Sequence, residues 1–303
     1  MKSLTSKTPT LHQLELLLAL ASSDGIAGAG ARLGMTPSAT SHALKALEST
    51  LGTSLIDRNA TGVALTYAGE QILPHVRDVF AALQLVQTTA AASAGLKTGK
   101  LRLGSFGASS SLKLLPPLLE SFRQRYPGIE VFVSEKPDSE VEQDLIERRI
   151  EIGVVTLPKP QFDTHLLAID EMVVVLPENH ELASASAVSL SQIAAHPLVL
   201  THAGSQGLIA RLFERSSLRP NVAHEMSQLL SILEFVARGN GISILASLAL
   251  PAHYPGVIYR ALSPRASRRV GLACLNEDRL SPAALALWSQ AKKMGKQRTI
   301  DSV

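Results

Sequence analysis

Apolar positions fall into a different rhythm at each end of the chain. Leu11, Leu14, Leu18 and Ala21 recur on one side of a helix with Leu17 beside them, and Ser22, Ser23, Asp24 and Gly25 end it. A second short helix is predicted from Ile26 to Leu33. Gly34 stands where a helix stop favours a left-handed residue, and Thr36-Pro37 supplies an N-cap hydroxyl followed by proline at the first helical position. The third helix, Pro37 to Thr50, carries two stripes. Thr40, Leu44, Leu47 and Leu51 have the spacing of a buried face, while Ser38, Ser41, His42 and Lys45 lie roughly 160° away at 100° per residue. One apolar stripe and one short polar stripe, behind a helix and a glycine turn, suit a helix that enters a major groove. An ordinary surface helix has the same pattern.

After Gly52, the segment LIDRNATGVALT reads as a hairpin of wing type: a short strand, a polar turn at Asn59 to Gly62, and a second strand from Val63 to Leu65. Thr66 then caps a long helix. Its apolar positions Ala68, Ile72, Val76, Val79, Leu83 and Val86 step by near-heptad intervals to about Ala92. At 1.5 Å per residue this helix spans about 40 Å, too long for a small domain to cover, and Pro74 is expected to bend it. A dimerisation helix and an amphipathic helix packed within a monomer both fit.

Beyond a small-residue hinge, AASAGLKTGK, strands and helices alternate. LRLGSF, IEVFVSE, IEIGVVTL, EMVVVLPENH, HPLVLT and ISILA read as strands, with helical patterns between most of them. This βα alternation predicts mostly parallel sheets. The segment RRVGLACLNEDRLSPAALALWSQAKK reads as a strand and a final helix returning to the first lobe.

Composition narrows the class without naming it. The 303 residues are 46% hydrophobic and 18% charged, with no low-complexity tract, enough for two or three domains. The single cysteine, Cys274, excludes a disulfide framework within one chain and is expected in the core. The apolar run from Leu14 to Ala21 contains Glu15 and is about half a membrane span, so neither an export signal nor a membrane contact is expected, and a cytoplasmic location is. The formal charge of +3 hints at nucleic acid, but the hint fails locally. Between Leu11 and Thr66, Arg32, Lys45 and Arg58 face Glu15, Asp24, Glu48 and Asp57, a net charge of −1.

The block from Leu11 to Leu73 resembles the N-terminal winged helix-turn-helix of LysR-type transcriptional regulators. The matching residues are Ala29, Leu33, the Thr36 to Ser41 turn, Leu47-Glu48, Leu51-Gly52, Leu55, Arg58, Leu65-Thr66 and Ala68-Gly69. The departures are Gly25-Ile26, Gly28 and Ala29-Gly30, where the family has Ser-Phe, a basic residue and paired alanines. Pro37 and His42 also replace a common Gln and Arg. The glycines are expected to make the second helix less rigid. The resemblance implies groove contacts from Thr36, Pro37, Ser38, Ser41, His42 and Lys45, with Arg58 at the wing touching phosphate.

The remainder is similar to the family's effector-binding domain. The expected fold is therefore α plus α/β: a winged helix-turn-helix (1–65), a linker helix (66–94) and a two-lobed α/β domain of periplasmic-binding-protein type (95–303). Lobe I comprises about 95–163 and 268–303, and lobe II about 164–267. Ligands of such lobes sit beyond strand carboxyl ends, where helices start. The turns at Ser105, Ala108 and Ser109 and at Thr201, His202 and Ser205 fit that place, although simple helix capping also explains their serines. The resemblance adds Lys136, Pro137, Gly241 and Ile242. Helix starts and a lysine favour an anion, so a small carboxylate effector is expected. No metal or cofactor is expected.

Expected partners are double-stranded operator DNA, the effector and further copies of the chain as dimer or tetramer, with RNA polymerase a candidate. A solute carrier whose N-terminal module only oligomerises is the second hypothesis. An enzyme is the third: Ser110-Ser111-Leu112-Lys113 matches S-x-x-K, but Lys97-Thr98-Gly99 precedes it instead of following, and no catalytic constellation emerges.

Overall fold

The computed structural model describes residues 8–23, 25–57, 64–92, 98–202 and 204–300. The chain divides into two compact units, Met1–Val86 and Gln87–Val303.

In the first unit, α1 (Leu11–Ala21) starts at a reciprocal capping box between Thr10 and Gln13, and α2 (Ile26–Arg32) stops just before Gly34 at φ 67°. Thr36 caps α3 (Pro37–Leu51) by accepting from the Ala39 amide, and Gly52 ends it in the left-handed region. Thr40, Leu44 and Leu47 are buried as the third-helix pattern predicts. In α1 the prediction fails. Leu11 and Ala21 are exposed, and the buried residues are Leu16, Leu17, Ala19 and Leu20. The run is apolar almost all round because α1 serves two clusters: Leu16 and Leu20 meet Ala29, Leu44 and Ile56, while Leu17 meets Leu47, Leu55, Leu73 and Val76. Periodicity cannot choose a face when both are used.

The strands β1 (Ile56–Asp57) and β2 (Ala64–Leu65) pair antiparallel as a wing. The turn between them lies outside the described residues. Helix α4 (Tyr67–Ala92) runs through Pro74. Leu73 and Val76 are buried, whereas Val79, Leu83 and Val86 are exposed along its later turns.

The second unit contains β3 (Gly99–Ser105), a π turn (Ser109–Leu114), α5 (Leu115–Arg125), β4 (Ile129–Glu135), α6 (Asp138–Ile146), β5 (Ile152–Leu157) and β6 (Asp163–Pro177). It continues through β7 (Ala187–Ser189), α7 (Leu190–Ala194), β8 (Pro197–Thr201), α8 (Gln206–Arg215), β9 (Asn221–Met226) and α9 (Leu229–Ala237). It ends with β10 (Ser243–Ala246), β11 (Val257–Ser263), β12 (Ser267–Cys274) and α10 (Pro282–Ile300). Among the described residues, no helix is long and apolar enough to cross a membrane.

The expectation of mostly parallel sheets needs correction. The pairs β3–β4, β3–β5, β8–β9 and β7–β11 are parallel, but β12 runs antiparallel to β5 and β6, and β6 antiparallel to β10 and β11. The chain crosses from one lobe to the other along β6 and returns along β12, so the connecting strands must oppose one another. The first half of β6 pairs with β12 and the second half with β10 and β11. Leu103, Phe122, Val154, Leu272 and Trp288 form one lobe's core. Val174 and Val175 enter different clusters of the other lobe, as adjacent residues of a strand covered on both faces must.

Candidate nucleic-acid face and effector cavity

On α3, Thr36, Pro37, Ser38, Ser41, His42 and Lys45 are all exposed, opposite the buried Thr40, Leu44 and Leu47. The Thr36 hydroxyl is already engaged as the helix cap, which leaves Ser38, Ser41, His42 and Lys45 as the open polar row. Glu48 anchors the far end of this helix to the wing by accepting from the Leu55 amide at 2.8 Å and the Ser54 hydroxyl at 3.1 Å. Arg58 lies outside the described residues.

The second unit has a partly open cavity of about 590 Å³, within the usual range for small-molecule sites. The starts of the π turn, α6, α8 and α9 all contribute to its wall. Such starts leave backbone N–H groups without intrahelical partners and carry a positive partial charge. Of the residues expected at an effector site, Ala108, Ser109, Lys136, Pro137, Thr201, His202 and Ser205 reach the cavity. Leu112, Leu229, Leu230 and Ile232 add an apolar portion.

Three expected residues do not line it. Ser105 is fully buried, and its hydroxyl is held by Ser110 and, at 2.8 Å, by Ser111. Ile242 belongs to the core beside Leu198, exchanging backbone hydrogen bonds with Pro197 and Val199. Gly241, at φ 135°, lies so close to the Pro197 carbonyl that an added Cβ would approach to 2.6 Å, so its role is to permit that packing.

The cavity's main polar feature was absent from the sequence expectations. Arg268 and Asp170 are cross-strand partners on β12 and β6, where the chain passes between lobes, and both are buried. Arg268 binds Asp170 Oδ2 through Nε at 3.2 Å and Nη2 at 2.9 Å. Its Nη2 also donates to Ser109 Oγ, and Nη1 donates to Ser205 Oγ at 2.8 Å. Asp170 Oδ1 accepts from the Leu248 amide at 2.9 Å and Ser247 Oγ at 3.2 Å. Ser109 and Ser205 therefore spend their hydroxyls on this clasp and not on helix caps. Of the five guanidinium N–H groups, one on Nη1 has no partner among the described residues. Strand phase signals both charges: Asp170 alternates with buried Met172 and Val174, and Arg268 with buried Val270 and Leu272.

Lys136 carries less free charge than expected. Its ammonium meets Asp144 Oδ2 at 2.6 Å, while Arg149 binds Oδ1 at 2.5 Å. Burial alone would raise the Asp144 carboxyl, but these two cations together hold it below the ordinary range. His202 Nε2 lies 3.0 Å from Glu225 Oε2. Asp138, another residue not expected, lines the cavity with its carboxyl pushed up to about 6. Burial is the main cause, and Lys159 and the Thr156 amide oppose it. Cys274 is fully buried, and burial pushes its thiol up to about 12, so it is a neutral core residue.

Comparison with known proteins bears on both places. The family model for the LysR substrate binding domain matches residues 94–296, and that for the bacterial regulatory helix-turn-helix protein of the lysR family matches residues 11–70. The chain is 31% identical over 291 residues to YvbU, an uncharacterised HTH-type transcriptional regulator of Bacillus subtilis (strain 168), covering 94% of this chain and 98% of that protein. A full-length OxyR from Pseudomonas aeruginosa superposes with a TM-score of 0.70 at 22% identity, covering 93% of each chain. The effector binding domain of QuiR, solved in complex with shikimate, superposes with a TM-score of 0.62 at 24% identity, covering 66% of this chain and 99% of that one. With both modules matched in order along nearly its whole length, the chain belongs to the LysR family of transcriptional regulators, which are not enzymes, and pairs a helix-turn-helix with an effector-binding domain.

Proposed function

We propose that the chain is a cytoplasmic, sequence-selective regulator that reads operator DNA through Ser38, Ser41, His42 and Lys45 and responds to a small carboxylate held in the 590 Å³ cavity. The observation that carries this reading is the convergence of several helix starts on the cavity, beside an arginine with one N–H that has no partner among the described residues. Shikimate, the ligand of the structural neighbour QuiR, is a carboxylate of suitable size. The proposed division is 1–65 for DNA, 66–94 for assembly and 95–303 for the effector. The exposed Val79, Leu83 and Val86 row of α4 suits pairing with a second copy, giving a dimer or tetramer that presents paired recognition helices. RNA polymerase is the further partner this reading implies.

Ser41→Ala and His42→Ala are each expected to weaken operator binding by roughly 5- to 150-fold, the 1–3 kcal/mol of a lost base contact, with helicity and oligomeric state intact. Fluorescence anisotropy and size-exclusion chromatography check this, and unchanged affinity in both variants would displace the reading face. For the cavity, thermal shift with benzoate and shikimate is expected to raise Tm, while the matching amides do not. Equal shifts from acids and amides, or none from the acids, would remove the carboxylate assignment.

A further inference from the structure

Asp138 is an odd residue for a cavity that takes anions. It opens α6 at the cavity wall, and its side chain is 16% exposed. Its contacts are weak: the Thr156 amide reaches Oδ1 at 3.3 Å, and the Lys159 ammonium stands 3.8 Å from Oδ2. That ammonium is already in direct contact with Glu142. Arg268, across on β12, is committed to Asp170, and Lys136, at the end of β4, to Asp144. His202, at the end of β8, faces Glu225. Among the described residues, no neighbouring cation is therefore given over to the Asp138 charge alone: Lys159 and Arg268 favour the ionised form only from a distance, and Glu142 on its own helix opposes it.

We infer that Asp138 is the specificity-determining group of the cavity, binding the effector carboxylate as a neutral acid whose O–H donates to it, so that one proton is taken up from solution with each anion bound. This inference rests on the carboxylate reading of the same site. The ionised residue would oppose the ligand by like-charge repulsion, whereas the acid form supplies one more donor next to the helix starts and Arg268. A cavity built this way also discriminates by charge, since the O–H bond to a carboxylate is charge-assisted and the one to an amide carbonyl is not.

The pH dependence follows directly. The Asp138 carboxyl sits at about 6, so its acid form prevails at pH 5 and amounts to roughly one part in a hundred at pH 8. Benzoate and shikimate are mainly ionised throughout that interval. Calorimetric titration of the full chain with either acid is expected to show Kd rising up to roughly hundredfold from pH 5 to pH 8. Heats measured in buffers of different ionisation enthalpy are expected to show uptake of about one proton near pH 7. Asp138→Asn keeps a donor and cannot ionise, so it is expected to bind with little pH dependence and to exceed wild type at pH 8. The native state holds the Asp138 proton more tightly than the unfolded chain, so wild-type stability falls as pH rises from about 4 to 6. The Asn variant is therefore expected to melt higher than wild type at pH 7.5 and no higher at pH 4.

Wild-type binding that is flat across pH, or stronger at pH 8, would overturn the proton-coupled role while leaving the carboxylate site standing. Absence of binding by both acids at every pH would overturn the carboxylate reading and this inference with it. Tighter binding of an amine such as benzylamine at pH 8 would assign Asp138 to cation recognition instead.

Discussion

Arg268→Ala is expected to destabilise the effector-binding unit by about 3–5 kcal/mol, the largest effect expected of any single substitution. The loss exceeds that of one contact because the arginine holds Asp170 across the strand pair, Ser109 at the π turn and Ser205 at the start of α8. Its removal leaves the Asp170 carboxylate buried with Leu248, Ser247 and Ser109 as its only donors among the described residues. Arg268→Lys is expected to recover only part of the loss, because an ammonium cannot fork between Asp170 and two serines on different lobes. Asp170→Ala is expected to be similarly costly. The double variant Arg268→Met with Asp170→Leu is expected to be milder than either single alanine, since no unpaired charge then remains. Urea unfolding of the full chain, followed by Trp288 fluorescence in the lobe I core, measures this. A loss below about 1 kcal/mol for Arg268→Ala would show that the pair is solvated and not a buried clasp.

The second large effect separates two glycines of α2 that are alike in sequence. Gly30 is buried, and a Cβ there would fall 2.0 Å from Thr40 Oγ1 and 3.1 Å from Thr40 Cβ. Thr40 is β-branched, fully buried and hydrogen-bonded to the Thr36 carbonyl, so it has little room to turn away. Gly30→Ala is therefore expected to cost about 1–3 kcal/mol of overpacking. It is also expected to push α3 outward and to reduce operator affinity at least tenfold. Gly28 is exposed, with nothing nearer than the Ser23 Cβ at 4.0 Å. Gly28→Ala is expected to stabilise the module by up to about 1 kcal/mol through helix propensity and to leave DNA binding unchanged. Thermal melts and anisotropy on the two variants decide the matter, and equal behaviour would contradict the close packing of α2 on α3. The two glycines thus differ in role: Gly28 leaves open space, whereas at Gly30 the missing methyl is what lets α3 approach.

The helices of the first unit were legible wherever a cap coincided with one apolar stripe. Thr36 and Pro37 mark the start of α3 to the residue, its end falls one residue beyond the expected Thr50, and its buried and open faces follow from spacing. Helix α1 carried no such phase, since two clusters claim opposite sides of it. In the effector-binding unit the βα rhythm gave the class of fold. It did not give the antiparallel core, because strand direction depends on where the chain returns, and β9 and β11 are too irregular in polarity to announce themselves. The loops at Ser109, Thr201 and Ser205 could be placed at the cavity from their position after strands, and Lys136 from the family resemblance. Asp170 and Arg268 could not be paired without the fold, being nearly a hundred residues apart, and the strand expected near Asp170 began only at Glu171, so the alternation that buries each residue became visible with β6 and β12. Asp138 was hidden for another reason: an acidic residue opening a helix looks like a favourable dipole partner, and only its burial beside the cavity separates it from that role.

A DNA reader coupled to a carboxylate cavity is tested most directly by anisotropy of the full chain on DNA from upstream of its own gene, against scrambled competitor across a salt series, with and without saturating shikimate at pH 6. Sequence-selective binding that survives physiological salt is expected, with an isotherm displaced by the acid and the displacement lost in Arg268→Ala. Binding that vanishes with salt equally on both DNAs, or an isotherm indifferent to every carboxylate that binds the cavity, would contradict it.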